Sequence, residues 1–260
     1  MIILKTKKEL ELIKEAGKRL GLMFDFIKDY IKPGISTKEL DKLCEKFIRD
    51  SGCIPSCLNY EGYPASICAS VNDVIVHGIP SPKTILKEGD IISVDVCNLL
   101  NGYQSDACRT FAVGKISEKD QMLIDVTEKC FYAGLAKAIP GNHIGDISSA
   151  IEEVAHRYGY SVTEYYGGHG IGREMHEDPI ILNYGRAGTG PLIREGMALC
   201  IEPMLLAGKK HTRRLKDGWG EVSIDGRNTA HYENTVIITA EGAEIVTIDD
   251  GVTRHLMGGK

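Results

Sequence analysis

The sequence predicts an α/β (α+β) fold made from a repeated unit: two helices, then β-strands, then the same order again. Three observations lead there. Helical periodicity opened by capping boxes alternates with short β-rich runs. Landmarks of the first half return 107 positions later. Carboxylates also sit within strands that otherwise read as buried, where an unpaired charge is costly.

The elements follow in order. Thr6-x-x-Glu9 is a capping box, and Leu10, Ile13, Gly17, Leu20, Phe24, Ile27 and Tyr30 continue at helical spacing until Pro33-Gly34. Ser36-x-x-Glu39 opens a second helix through Leu40, Leu43, Phe47 and Ile48, closed near Gly52. Four β-type runs come next, at 65–71, 74–76, 90–99 and 110–113, with Asn101-Gly102 as a hairpin turn between the last two. Ser117-x-x-Asp120 starts a helix expected to reach about Ala138. Pro140-Gly141 breaks it, and a fourth helix is expected near Asp146–Tyr158, ending at Gly159.

The offset pairs Pro33-Gly34 with Pro140-Gly141, Gly52 with Gly159, Glu88-Gly89 with Glu195-Gly196, and Asp95 with Glu202. Asp106 and Glu233 take matching places, the second hairpin being about 20 residues longer. Two halves meeting about a pseudo-twofold axis explain this. Coincidence is the competing explanation, because short glycine motifs recur easily. No low-complexity linker separates the halves, so residues 1–250 are expected to be a single domain, with 251–260 as a disordered tail.

Bulk properties narrow the function. A chain of 260 residues can bury a full core, and 43% apolar with 26% charged residues is ordinary for a globular protein. A net charge of −5 argues against a general binder of nucleic acid or anionic membrane. No apolar run approaches the roughly 20 residues of a membrane span. The opening segment has neither a signal-length apolar stretch nor a small-residue cleavage site, so the cytoplasm is expected. Eight cysteines without a CxxC pair read as reduced core fillers.

Against that background the polar residues stand out. Asp95 lies in the apolar run Ile91–Val96; a solvent-facing position is the alternative, and the pattern opposes it. Asp106 lies across the turn, placed to return opposite Asp95. Glu202 ends the run 198–201 before Pro203, and Glu233 opens the run 234–238. The densest piece is 168–177, from Gly168-His169-Gly170 to His176-Glu177. Its glycines would allow close backbone approach and unusual dihedrals around a ligand, although a histidine in a tight turn reads similarly. His176 is not at the i, i+4 spacing of a helical zinc pair and reads as either a ligand or a substrate-facing group. His77, after an apolar strand, is by itself more often a structural histidine than a catalytic one.

Converging carboxylates repel and raise one another's pKa values, and cations resolve that conflict. One imidazole and four carboxylates favour Mn, Fe, Co or Zn. A bridging pair would hold two ions roughly 3.5–4 Å apart and activate a shared water. With no phosphate-binding loop or basic cradle, peptide hydrolysis is the expected reaction.

Asp95, Asp106, His169-Gly-Ile-Gly with His176-Glu177, Glu202-Pro203 and Glu233-Asn234 together resemble the metal motifs of type I methionine aminopeptidases, over about residues 3–248. The resemblance implies the pita-bread fold, with a dinuclear site between central curved antiparallel strands and helices outside. It implies that Asp95 chelates one of two divalent ions (Co, Mn, Fe or Zn), that His169 and Glu202 hold the other, and that Asp106 and Glu233 bridge. Glu202 would double as general acid–base, with His77 and His176 orienting substrate. Cys57, Tyr60, Tyr63, Cys68, Met175 and Trp219 would line a slot that accepts a thioether.

Two positions depart from the family's pattern: Met175, where an aromatic residue is common, and Glu61, where some members carry histidine. Neither is a ligand, so they bear on fine specificity. The implied activity removes N-terminal methionine from nascent proteins and short peptides with a small second residue. The implied setting is a monomer in transient contact with the ribosome, with no membrane partner and no specific nucleic acid. A proline-specific aminopeptidase or dipeptidase on the same fold competes, against the absence of a separate N-terminal domain. A non-catalytic binding relative also competes, against the retention of all five ligands.

Overall fold

The computed structural model describes residues 1–248; the tail expected at 251–260 lies outside the described residues. Helix α1 (Lys7–Ile27) starts where Thr6 accepts from the Glu9 backbone, and α2 (Thr37–Asp50) starts on the equivalent box of Ser36 and Glu39. The strands of the first half are β1 (Ile54–Pro55), β2 (Cys68–Val71), β3 (Val74–Val76), β4 (Ile91–Leu100) and β5 (Tyr103–Ala112). The second half holds α3 (Glu118–Leu135), α4 (Ile144–Arg157), β6 (Ser161–Val162), β7 (Gly167–Gly170), β8 (Glu177–Leu182) and β9 (Ala198–Ile201). It continues with β10 (Met204–Leu206), β11 (Thr212–Arg214), β12 (Glu221–Ser223), β13 (Thr229–His231), β14 (Glu233–Thr239) and β15 (Gly242–Ile245).

Duplication, not coincidence, accounts for the shared offset. Moved by 107 positions, α2 coincides with α4 end for end. The isolated bridge Ser36–Ile85 coincides with His143–Leu192, and the hydrogen bond from Gly34 N to Leu86 O with that from Gly141 N to Ile193 O. In the large sheet, β5 and β14 pair at the centre. The order outward is β4 then β2 on one side, and β9 then β7 then β8 on the other.

Four expectations need correction. The strand expected at 110–113 is ten residues long and starts at Tyr103, because Asn101 and Gly102 (φ 52° and 81°) form a tight turn pairing Leu100 with Tyr103. Its polar opening, Gln104-Ser105-Asp106, disguised it. The strand expected at 65–71 is paired only over Cys68–Val71, and α3 stops at Leu135. Helix α4 starts earlier than expected, at Ile144, where the Asp146 carboxylate accepts from the His143 backbone at 2.7 Å.

Because side chains alternate across a strand, one face of the sheet packs on helices and the other carries the site. Val94, Val96 and Ala107 join Leu20, Phe24, Leu40 and Ile48 of α1 and α2 in one core. Leu199, Ile201, Val236 and Ile238 join Val126, Phe131, Ile147 and Ile151 of α3 and α4 in another. The longer second hairpin carries β10 to β13, which form two small sheets with β6 and β3. No described helix is long and apolar enough to cross a membrane.

Candidate metal centre

The register places the expected ligands together. Asp95 and Glu233 both stand opposite Cys108, one on each side of β5. Asp106 stands opposite Cys97, diagonal to Asp95 and not directly opposite it as expected, because the two-residue turn sets the register. Cys200 is opposite both Thr235 and His169, with Glu202 two residues beyond it. Directly opposed and alternate residues share a face, so all five residues project from the same side of the sheet. Oxygens of Asp95, Asp106 and Glu233 lie within 4.8 Å of one another, and His169 Nε2 is 3.6 Å from Glu202 Oε1.

The electrostatics are frustrated. Burial raises the pKa values of Asp95, Glu202 and Glu233 well above the carboxylate range, and the Asp106 charge adds to each. Asp106 is itself raised, mainly by burial. Asp106 Oδ1 and Glu233 Oε1 are buried without a hydrogen-bond partner. A cation satisfies these orphaned oxygens and cancels the repulsion, so the residues present fit a divalent metal. His169 is prepared for the same role. Its Nδ1 lies 2.9 Å from the Gly170 carbonyl, which can only accept, so the proton sits there and Nε2 keeps its lone pair. Burial pushes its pKa down to about 3.

The glycines around His169 do a different job from the one expected. None in 167–170 has a positive φ. A Cβ on Gly168 would stand 2.1 Å from the Cys200 carbonyl oxygen, and one on Gly170 would stand 2.1 Å from that of Asp178. The close approach is to neighbouring strands, which clamp β7 and fix the ring.

Around the ligands lies a cavity of about 840 Å³ whose walls include His77, His176 and all six expected slot residues. Tyr63, Cys68, Cys57 and Trp219 pack together, with the Tyr63 and Trp219 rings edge-on at 5.1 Å. Met175 is buried, 6% exposed. Tyr60 does more than line a wall: its hydroxyl is 2.8 Å from His176 Nδ1, and the His176 ring lies 4.4 Å from that of His169. His77 has a left-handed backbone (φ 59°), uncommon away from glycine and a feature of functional sites. Burial, then the nearby His231 and His176, pushes its pKa down to about 4.

Other residues were missed. His231 is 1% exposed, with Nε2 3.5 Å from Glu202 Oε2 and 3.9 Å from Glu233 Oε2. Burial pushes its pKa down to about 3. Cys44, Cys53 and Cys130 fill the cores as expected, but Cys68, Cys97, Cys108 and Cys200 share the carboxylate face. Cys200 lies within ligand reach of His169 and Glu233. Burial and the neighbouring carboxylates raise its thiol well above the ordinary value, which keeps it protonated and a poor ligand. Glu177 holds the loop beneath Met175 and His176: it accepts from Arg173 N at 2.9 Å, from Glu174 N at 3.3 Å and from buried Lys5 Nζ at 2.7 Å.

A model of metallopeptidase family M24 matches residues 11–240. A methionine aminopeptidase of Clostridium acetobutylicum is 49% identical over 248 residues, 95% of this chain and 99% of that protein. Methionine aminopeptidase 1 of Bacillus subtilis is 47% identical, with 95% and 99% covered. The crystal structure of methionine aminopeptidase from Rickettsia prowazekii superposes with a TM-score of 0.94 at 43% identity, covering 95% of this chain and 100% of that one.

Proposed function

This chain belongs to metallopeptidase family M24 and has its pita-bread fold, and from that premise we infer that it removes N-terminal methionine from peptides and newly made proteins. The observation that carries this reading is one sheet face bearing five convergent metal-type ligands beside a slot walled by Met175, Cys57, Cys68, Tyr63 and Trp219. Sulfur and aromatic edges contact a methionine thioether favourably.

The site binds divalent metal. Asp95, Asp106, His169, Glu202 and Glu233 would hold two ions, drawn from Co, Mn, Fe and Zn. Bound there, the ions supply Lewis acidity toward the scissile carbonyl and an activated water. Glu202, a partly exposed carboxylate at the cavity wall with a raised pKa, is suited to take the proton of the attacking water and deliver it to the leaving amine. In the tautomer in which the Tyr60 hydroxyl donates to Nδ1, the single ring proton lies on Nε2, and His176 would donate it as a hydrogen bond to the oxygen of the tetrahedral intermediate. His77, neutral at pH 7 and held edge-on against Tyr166 at 5.3 Å, would orient the scissile amide without adding charge. A small second residue, a single-domain monomer, the cytoplasm and transient ribosome contact belong to the same proposal.

Reconstitution of metal-free protein with one ion at a time, assayed on Met-Ala-Ser and on an Xaa-Pro peptide, is the test. Methionine release from the first alone is the expected result. Cleavage confined to Xaa-Pro would move the chain to the proline-specific branch, and no release with any ion would overturn the reading.

A further inference from the structure

We propose that His231 is a further metal ligand, joining Glu202 and Glu233, so that the centre takes two imidazoles instead of one; this rests on the metallopeptidase reading above. Distances carry the argument. The 3.5 Å and 3.9 Å from His231 Nε2 to Glu202 Oε2 and Glu233 Oε2 exceed the roughly 2.7–3.2 Å of an N–H···O hydrogen bond. The 3.5 Å separation matches what one ion imposes, since two donors each about 2.0–2.1 Å from it, at a tetrahedral angle, stand roughly 3.3–3.5 Å apart, and the 3.9 Å separation is somewhat wider. The pair His169 Nε2 and Glu202 Oε1, at 3.6 Å, shows the same spacing. Glu202 therefore presents one oxygen toward each imidazole.

Both ring nitrogens of His231 are buried without a hydrogen-bond partner, an unfavourable arrangement for a polar ring. An ion accounts for Nε2. The backbone is also anchored for the task. Thr110 Oγ1 donates to the His231 carbonyl at 2.8 Å and accepts from its N–H at 2.9 Å, while Met204, two residues after Glu202, pairs with His231 across the small sheet. These contacts fix the His231 main chain between β5 and β10. A second imidazole also tilts that position toward Zn, Co or Fe and away from Mn.

Proton NMR of the cobalt-loaded full chain counts ligating imidazoles directly, because each gives its own strongly shifted, exchangeable N–H signal. Two such signals are expected, and one would overturn the proposal. In parallel, His231→Ala and the similarly sized His231→Gln are titrated with Co(II) by calorimetry and visible absorption. One binding event should weaken at least about 10-fold, the loss typical even of outer-sphere disruption, with an altered cobalt spectrum and an ion-free protein that still melts cooperatively. A wild-type titration and spectrum in both variants would also refute it, even with lowered turnover, and would make His231 a hydrogen-bonding partner of Glu202. A wild-type chain that takes up no ion would instead bring down the metallopeptidase reading itself.

Discussion

Replacing Asp106 with asparagine should stabilise the ion-free protein and abolish most of the stabilisation that metal confers. Asp106 is 7% exposed, and its oxygens lie within 4.8 Å of those of Asp95 and Glu233. At an effective dielectric near 20, two such charges repel by about 3.5 kcal/mol, so two pairs approach roughly 7 kcal/mol. Proton uptake limits this. Holding a proton at pH 7 on a group of ordinary pKa near 4 costs about 1.36 kcal/mol per pH unit, which caps the strain at about 4 kcal/mol. Asp106→Asn should therefore add about 1–4 kcal/mol without metal, a melting rise of roughly 3–12 °C at this size.

In the wild type, ion at 100 times its Kd should add about 2.7 kcal/mol, or roughly 5–10 °C, and in the variant far less. The pH dependence has a definite sign. Carboxyls with raised pKa bind more protons folded than unfolded, so their stability is present at low pH and lost as pH rises through the folded pKa. The ion-free wild type should lose stability from pH 5 to 8, and the variant should show a shallower slope. Scanning calorimetry in chelator and in excess ion reads all of this. If ion-free Asp106→Asn melts at or below the wild type, the carboxylates are not in conflict and the argument for a cation fails.

Glu202→Gln should keep the fold and lower turnover of Met-Ala-Ser by about 10²–10⁴; near wild-type turnover would remove the acid–base role. Lys5→Met should cost about 3–5 kcal/mol in urea unfolding and raise KM, because it strands the buried Glu177 charge (side chains 4% and 7% exposed) under the loop of Met175 and His176; a loss below about 1 kcal/mol would show the pair to be dispensable. Glu9 is held down to about 2 by the Tyr103 hydroxyl and by the Thr6 backbone and side chain, so its contribution is present above pH 4.5 and lost as pH falls through 2. Glu9→Gln should cost about 1 kcal/mol at pH 7, with the difference fading toward pH 2, and a pH-independent difference would contradict the assignment.

The helices and ligands were legible because their signals are local or conspicuous. Thr6 with Glu9 and Ser36 with Glu39 announce their helices within four residues, and an acid such as Asp95 amid Ile, Val and Cys has few explanations. The offset also exposed Glu202 by its kinship with Asp95. What stayed hidden depended on distant partners. His231 sits beside Tyr232 in a short strand, and only the pairing of β10 with β13 aims it at Glu202. Its i, i+2 relation to Glu233 was a usable clue, blurred by the break between β13 and β14. Tyr60 read as an apolar wall because the partner of its hydroxyl, His176, lies 116 residues away.

The central pairing of β5 with β14 bears on ancestry. A single ancestral unit, two helices and a hairpin, would have supplied only half of the carboxylates. It could have made a complete site only as two identical chains facing each other across that pair of strands. Such a symmetric dimer must place the same residue on both sides. Fusion into one chain lifts that constraint and lets each side specialise: Asp95 can differ from Glu202, His169 and His231 can be added on one side alone, and β10 to β13 can grow from one hairpin while the other keeps its two-residue turn. An asymmetric centre, with the proton carrier Glu202 on one side only and a slot to which the halves contribute different residues, becomes available once the halves are joined.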